Sequence, residues 1–314
     1  MEPIFLEPVF KERIWGGTKL RDEFNYEIPS EHTGECWGIS AHPHGQSIVK
    51  AGTYKGMTLG ELWSEKPELF SFFKATAFPL LTKILDARTD LSVQVHPDDE
   101  YGRNYENGEL GKTECWYIID CEPGAEIIFG HHAQTKQEFI NMIENGNWDQ
   151  LLRRVPVAKG DFFYVPSGTI HAIGAGVMIL ETQQSSDTTY RVYDYDRLDQ
   201  DGNKRELHLE KAIDVSTIPH QEQQQKITSE ELEGGTVTTF AKTEYFSVYK
   251  WDVNSAMQQE ITEPFLICSV ISGEGELVVG DNSYTLQKGD HFLLPGSLKN
   301  FKVKGKLSII VSHP

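Results

Sequence analysis

Lys159-Gly160-Asp161-Phe162-Phe163-Tyr164-Val165-Pro166 returns later in the chain as Lys288-Gly289-Asp290-His291-Phe292-Leu293-Leu294-Pro295. Each copy opens on a Gly-Asp turn, where glycine supplies the backbone freedom and the aspartate can bond to nearby backbone groups. An apolar, partly aromatic run follows and is expected as a strand, and a proline closes it. Two such turn-strand-turn units predict two related β structures in one polypeptide.

The surrounding sequence supports this. Short apolar runs at 115–119, 127–129, 161–165 and 265–271 are separated by Gly, Pro, Asn and Asp, the pattern of a sandwich or barrel. Helical periodicity is clear only over 136–153, where Phe139, Ile140, Ile143, Leu151 and Leu152 alternate with polar residues behind Thr135 as a cap; a shorter candidate covers 59–70. The Lys-Gly-Asp turn, apolar strand and closing proline-glycine segment resemble the second half of the cupin motif. The expected fold class is therefore mainly β: tandem cupin, jelly-roll-like barrels with a few helices. In the first copy the frame continues to His171, whereas the second has Asn300 at the equivalent place, so the second barrel reads as degenerate. The polar stretch from His220 to Gly235 is the expected linker. It divides a catalytic domain at 1–235, with a helical insertion near 135–155, from a smaller degenerate domain at 236–314.

With 314 residues, 39% of them hydrophobic, the chain can bury a sizeable core. A formal charge of −18 argues against nucleic acid and anionic membranes as partners. The four cysteines, Cys36, Cys115, Cys121 and Cys268, form no Cys-x-x-Cys pair and are too sparse for a disulfide framework. The start, Met1-Glu2-Pro3-Ile4-Phe5-Leu6, has no basic and apolar leader pattern, and no apolar run approaches the ~18 residues of a membrane span. The expectation is a soluble cytoplasmic protein, a monomer or weak homo-oligomer.

Three segments carry candidate chemistry. In Leu91-Ser92-Val93-Gln94-Val95-His96, alternation puts Ser92, Gln94 and His96 on one strand face. A shared metal ion would explain a glutamine and a histidine pointing together, and a hydrogen-bonded core histidine is the bland alternative. In Gly111-Lys112-Thr113-Glu114-Cys115-Trp116, Lys112 and Glu114 share a face with Trp116. A carboxylate among apolar neighbours needs a cation, either a metal or Lys112 itself. Pro166-Ser167-Gly168-Thr169-Ile170-His171 adds a histidine just after a tight turn. His96, Glu114 and His171, with the Gln94 carbonyl, suit Zn²⁺ with room for water or substrate, and equally the facial triad of non-haem iron. Further on, Thr189, Arg191 and Tyr193 alternate onto one face. Facing inward, Arg191 would bring a permanent cation to an anionic ligand; facing outward, it would pair with Asp187 or Asp194. The pairs His42/His44 and His131/His132 read as loop residues.

Taken together, Gln94-Val95-His96-Pro97-Asp98-Asp99, Gly111-Lys112-Thr113-Glu114-Cys115-Trp116-Tyr117, Pro166-Ser167-Gly168-Thr169-Ile170-His171-Ala172 and Gln183-Gln184-Ser185-Ser186-Asp187-Thr188-Thr189-Tyr190-Arg191-Val192 resemble the type I mannose-6-phosphate isomerases, in their short bacterial form. Ile14-Trp15-Gly16-Gly17 and Gly34-Glu35-Cys36-Trp37-Gly38 extend the likeness, which loosens beyond Arg197. The resemblance implies one zinc ion held by Gln94, His96, Glu114 and His171. It implies Arg191 as the catalytic arginine, and Ser92, Lys83 and Lys112 as contacts for the phosphate or the reacting sugar. The implied reaction interconverts mannose 6-phosphate and fructose 6-phosphate by metal-assisted proton transfer through an enediol(ate). Lys112, a glutamate or a hydroxide on the metal could each be the proton-transferring base. A non-haem iron cupin oxygenase and a non-catalytic sugar-phosphate-binding cupin are the competing readings.

Overall fold

The computed structural model describes residues 2–199 and 202–314; Met1, the head of the N-terminal stretch read above, lies outside them. Its first barrel is built from two antiparallel sheets. One runs in spatial order Phe162–Val165, Glu114–Cys121, Val177–Gln184, Leu80–Asp86, Thr33–Ile39, Val9–Gly17. The other runs Leu152–Pro156, Glu126–His131, His171–Ile173, Val93–Val95, Tyr190–Tyr193.

Period-two alternation in the six-stranded sheet decides what each face meets. Trp116, Ile118, Ile179 and Leu85 point into the first barrel and pack with Ile127, Phe129 and Ile173 of the facing sheet. Cys115, Tyr117, Leu180, Ile84 and Cys36 point the other way, into a core shared with Phe246, Ile267, Leu293 and Ile310 of the C-terminal region. One sheet thus lines the first interior and walls the second barrel.

The C-terminal region centres on two long antiparallel strands, Phe265–Val279 and Asn300–His313. Their sheet also takes in Ile4–Glu7 from the N-terminus, paired with His291–Pro295, and the hairpin of Thr228–Leu232 with Gly235–Lys242. The 220–235 stretch therefore includes a strand as well as connecting chain.

The helices differ from the periodicity. Thr135 does cap a helix, its hydroxyl accepting from the Glu138 amide at 3.1 Å, but the helix spans Lys136–Glu144. Gly146 takes a left-handed conformation (φ 65°), the short helix Trp148–Leu151 follows, and Arg153 already lies in the Leu152–Pro156 strand. The apolar spacing of a helix and of a buried strand edge coincide here. Over 59–70 a helix Leu59–Glu65, opened by a Thr58/Glu61 capping box, passes into a 3₁₀ turn at Pro67–Phe70.

Candidate active site and metal centre

Strand pairing sets two rows of side chains across the first barrel. On the five-stranded sheet His171 lies opposite Gln94, and Gln94 opposite Arg191. On the six-stranded sheet Trp116 lies opposite Glu181, Glu181 opposite Lys83, and Lys83 opposite Trp37. Between the rows is a cavity of about 320 Å³ whose lining includes Lys83, Ser92, Gln94, Lys112, Glu181 and Arg191.

Behind Gln94, Lys112 and Trp116 of that lining, the His96, Glu114 and His171 side chains are fully buried, their candidate ligand atoms within 4.8 Å of one another. His96 Nδ1 donates to the Thr188 carbonyl at 2.8 Å and His171 Nδ1 to the Thr169 carbonyl at 2.9 Å. Those bonds leave both Nε2 lone pairs aimed at Glu114, each 3.4 Å from one of its oxygens. Burial, and then the charge on Lys112, push both imidazoles down, His171 to about 4 and His96 well below its ordinary value. Two proton-free nitrogens and a buried carboxylate converging on one point repel one another unless a cation sits among them. The donor set therefore fits a divalent metal. Gln94 stands beside it, its Nε2 placed 3.4 Å from His171 Nε2; a half-turn of the amide would present the oxygen instead.

Lys112 supplies part of that cation. Its Nζ lies 2.6 Å from Glu114 Oε2 and 3.0 Å from His96 Nε2. Burial alone would lower its pKa, but Glu114 and then Glu181 outweigh burial and raise it to about 12. The Lys112–Glu114 ion pair and the His/Glu cluster, posed as alternatives by the sequence, occur together. Trp116 Nε1 donates to Glu114 Oε1 at 3.0 Å and to Glu181 Oε2 at 3.1 Å, fixing both carboxylates.

The glutamine-serine segment shapes the rim. Gln184 accepts from the Thr113 amide at 2.9 Å, and Gln183 donates to the Gln184 and Ser186 carbonyls at 2.7 and 2.6 Å. This bend delivers the Thr188 carbonyl that sets the His96 tautomer. Arg191 pairs with neither Asp187 nor Asp194: Asp187 takes His44 at 2.9 Å, and Asp194 takes Arg205 and Arg197 at 2.6 and 2.7 Å. Arg191 Nη1 donates to the Glu206 carbonyl at 2.7 Å and its Nε is buried without a partner. Among the described residues it forms no ion pair, which leaves its charge for a ligand. Lys83 is buried, 3.8 Å from Glu181 Oε1 and over the Trp37 ring. Ser92 is buried on the cavity wall.

Sequence reasoning passed over Glu181, Glu35, Arg13 and Arg205, all on the cavity wall. Glu181 did carry a signal, as the one charged residue in the wholly buried strand Val177–Gln184. Arg205 carried none. His42 and His131, read as loop residues, are buried at strand ends, where neighbouring rings cover them.

Two family profiles match the chain: "Phosphomannose isomerase type I, catalytic domain" over residues 4–120 and "Mannose-6-phosphate isomerase, cupin domain" over 236–314. The mannose-6-phosphate isomerase ManA of Bacillus subtilis is 58% identical over 312 residues, 99% of each chain. The chain belongs to the type I phosphomannose isomerase family. A Streptococcus mutans mannose-6-phosphate isomerase is 54% identical, over 99% of this chain and 98% of that protein. The crystal structure of a B. subtilis mannose 6-phosphate isomerase superposes with a TM-score of 0.99 at 57% identity, covering both chains completely. A phosphomannose isomerase variant from Salmonella typhimurium, 13% identical, shares the fold at a TM-score of 0.80 over 100% of this chain and 99% of that one. The mainly β, tandem cupin expectation stands, and family membership does not favour the oxygenase or binding-only readings.

Proposed function

We propose that the chain is a zinc-dependent mannose-6-phosphate isomerase, holding one ion per chain through His96, Glu114 and His171 with Gln94 as the fourth donor. The observation that carries this reading is the convergence of two proton-free Nε2 atoms on a buried carboxylate, beside a cavity whose Arg191 forms no ion pair among the described residues.

Isomerisation moves a proton from C2 of the open-chain aldose to C1, while the carbonyl passes from C1 to C2 and the proton of the O2 hydroxyl passes to O1. A divalent ion in the site would supply a Lewis acid for the two oxygens between which negative charge shifts. Arg191, permanently charged, is the group for the enediolate charge on the side facing Gln94. Lys112, on the cavity wall and 2.6 Å from Glu114, is placed to exchange a proton with a sugar oxygen. Glu181 is the carboxylate suited to carry the carbon-bound proton: burial and then Glu114 raise its pKa, and Trp116 and Lys83 hold it against the cavity. Ser92 and Lys83 are further contacts for the sugar. Arg191, Arg197 and Arg205 gather around Asp194, with Glu206 also near Arg191, and Arg191 and Arg205 line the cavity where a phosphate would enter.

The partner in this reading is a small sugar phosphate, with no role for nucleic acid. The enzyme works in the cytoplasm as a monomer or weak homo-oligomer, in keeping with four unpaired cysteines. Among the described residues no helix is long and apolar enough to cross a membrane.

The test is a coupled assay for fructose 6-phosphate formed from mannose 6-phosphate, run on chelator-treated protein before and after adding Zn²⁺, Mn²⁺ or Mg²⁺. Loss of turnover on stripping and recovery with zinc is expected. Folded, metal-loaded protein that fails to turn over would refute the reaction. Recovery with manganese or magnesium alone would reassign the metal.

A further inference from the structure

A buried histidine of the second barrel seats against the back of a strand that walls the substrate cavity. His291 is 1% exposed and stands on the face of the C-terminal sheet that meets the back of the Thr33–Ile39 strand. Its imidazole lies flush against Gly38: a Cβ added there would fall 2.3 Å from His291 Cε1. Its Nδ1 is 2.8 Å from Ser269 Oγ and its Nε2 is 2.9 Å from the Tyr26 hydroxyl, with Cys36 Sγ at 3.8 Å. Tyr26 in turn donates to the Gly289 carbonyl at 2.7 Å, so the ring is gripped at both nitrogens.

Gly38 and Cys36 alternate with Trp37 and Glu35, which face the cavity side. Trp37 Nε1 donates to Glu35 Oε2 at 2.5 Å, and the indole carries Lys83 over its ring, 4.7 Å from the centroid. Glu35 holds Arg13 by two bonds of 2.9 and 3.2 Å. A shift of the strand at Gly38 therefore moves Trp37, Glu35 and Lys83 together, and with Lys83 the partner of Glu181.

The repeated unit makes the choice of histidine informative. Its counterpart in the first copy, Phe162, also faces the other barrel, where it stacks on Phe240 with centroids 4.7 Å apart and planes 6° apart. An apolar ring thus suffices to join the barrels at one of these two places. A buried imidazole adds direction, because its hydrogen bonds fix the rotation of the ring and so the height at which Gly38 can rest on it.

We infer that His291 is a positioning residue for the isomerase: held by Ser269 and Tyr26, it sets the strand that carries Glu35 and Trp37, and through them Lys83, against the sugar. This rests on the cavity being the sugar-phosphate site. The test is steady-state kinetics on the metal-loaded full-length enzyme with His291→Phe, which copies Phe162 and keeps a ring but loses both hydrogen bonds. Tyr26→Phe accompanies it, removing one bond with almost no change of shape. Metal content and thermal midpoint are measured alongside. At a temperature where every variant is folded, kcat/KM is expected to fall about tenfold for His291→Phe and about threefold for Tyr26→Phe, mostly in KM, with metal content unchanged. Variants that lose thermal midpoint while keeping wild-type KM and kcat would make the contact purely structural and overturn the inference. Should His291→Phe not fold, Tyr26→Phe decides by the same split. An inert wild type would overturn the reaction and this inference together, whereas an active wild type with equally active variants would overturn the positioning alone.

Discussion

The two copies of the Lys-Gly-Asp unit share a turn and the strand that follows it, and then serve different interiors. Gly160 and Gly289 sit at φ 95° and 94°, and Asp161 and Asp290 each accept from a backbone amide at 2.8 Å, those of Ala158 and Gln287. Beyond the turns, the first barrel fills one end of its interior with Glu114, Glu181, Lys83, Lys112 and two histidines. The second packs Trp251, Met257, Leu277, Phe292, Phe301 and Ile309. His171 is buried in the first, and Asn300 is exposed in the second. Charges buried without water are tolerated only where each finds a partner. In the first barrel they partner one another, and in the proposed function a metal and a phosphorylated sugar would join them. The second barrel, with an apolar interior, keeps the scaffold and gives its outer face to supporting the first.

The largest effect that tests this division belongs to the first barrel. Arg191→Ala should lower kcat by about a hundredfold or more, as loss of a charge aimed at a developing oxyanion does. Metal content by atomic absorption should stay at the wild-type level, since Arg191 touches none of the candidate ligands except through its strand neighbour Gln94. Loss of metal in step with activity would instead make Arg191 part of the scaffold.

The next effect is on stability and belongs to the second barrel. Burial holds His291 at about 4, against about 6.5 for an unfolded histidine. A base with a depressed folded pKa favours the native state fully above pH 6.5, and that contribution is lost as pH falls from there through 4, because the unfolded chain gains a proton that the folded one refuses. The loss for His291 alone is on the order of 3 kcal/mol by about pH 4. His291→Asn removes the titrating group while every other histidine stays in place. Denaturant unfolding at pH 7 should show the variant as the less stable protein, and the gap should narrow steadily toward pH 4.5. A gap that stays constant over this range would mean that His291 is not buried as a neutral ring.

Much of this was legible in the sequence, for reasons that differ by residue. Alternation put Gln94 with Ser92 and Lys112 with Glu114, and each pair does share a side, although Ser92 and Lys112 lie just outside the strands Val93–Val95 and Glu114–Cys121. The repeated Gly-Asp turn announced the tandem architecture because few other residues make that turn. Glu181 did not stand out, although it is the one charge in the buried strand Val177–Gln184, because it reads as the head of a continuous polar run, Glu181 to Thr189. Arg205 and the seat of His291 on Gly38 could not be read at all. Each depends on long-range packing, of a loop against the cavity mouth and of one barrel against the other, which leaves no periodic trace. The overlong helix at 136–153 failed for the opposite reason: its apolar spacing continued across Gly146, and only the backbone turn there divides helix from strand.

The smallest expected effect is the sharpest probe of how far the second barrel has departed from the first. Asn300→His restores the residue that the repeat lacks. A histidine alone cannot make a metal site: in the first barrel His171 works because Glu114 and His96 face it and because Thr169 fixes its tautomer. The second interior offers Leu277, Phe292, Phe301 and Val303 instead. At an exposed position the substitution should change stability by no more than about 0.5 kcal/mol. It should add no second equivalent of bound zinc and leave kcat as it was. Uptake of a further ion would show that donors for a site survive in the second barrel. An unchanged stoichiometry places the loss of function in the whole apolar lining rather than in the one missing histidine.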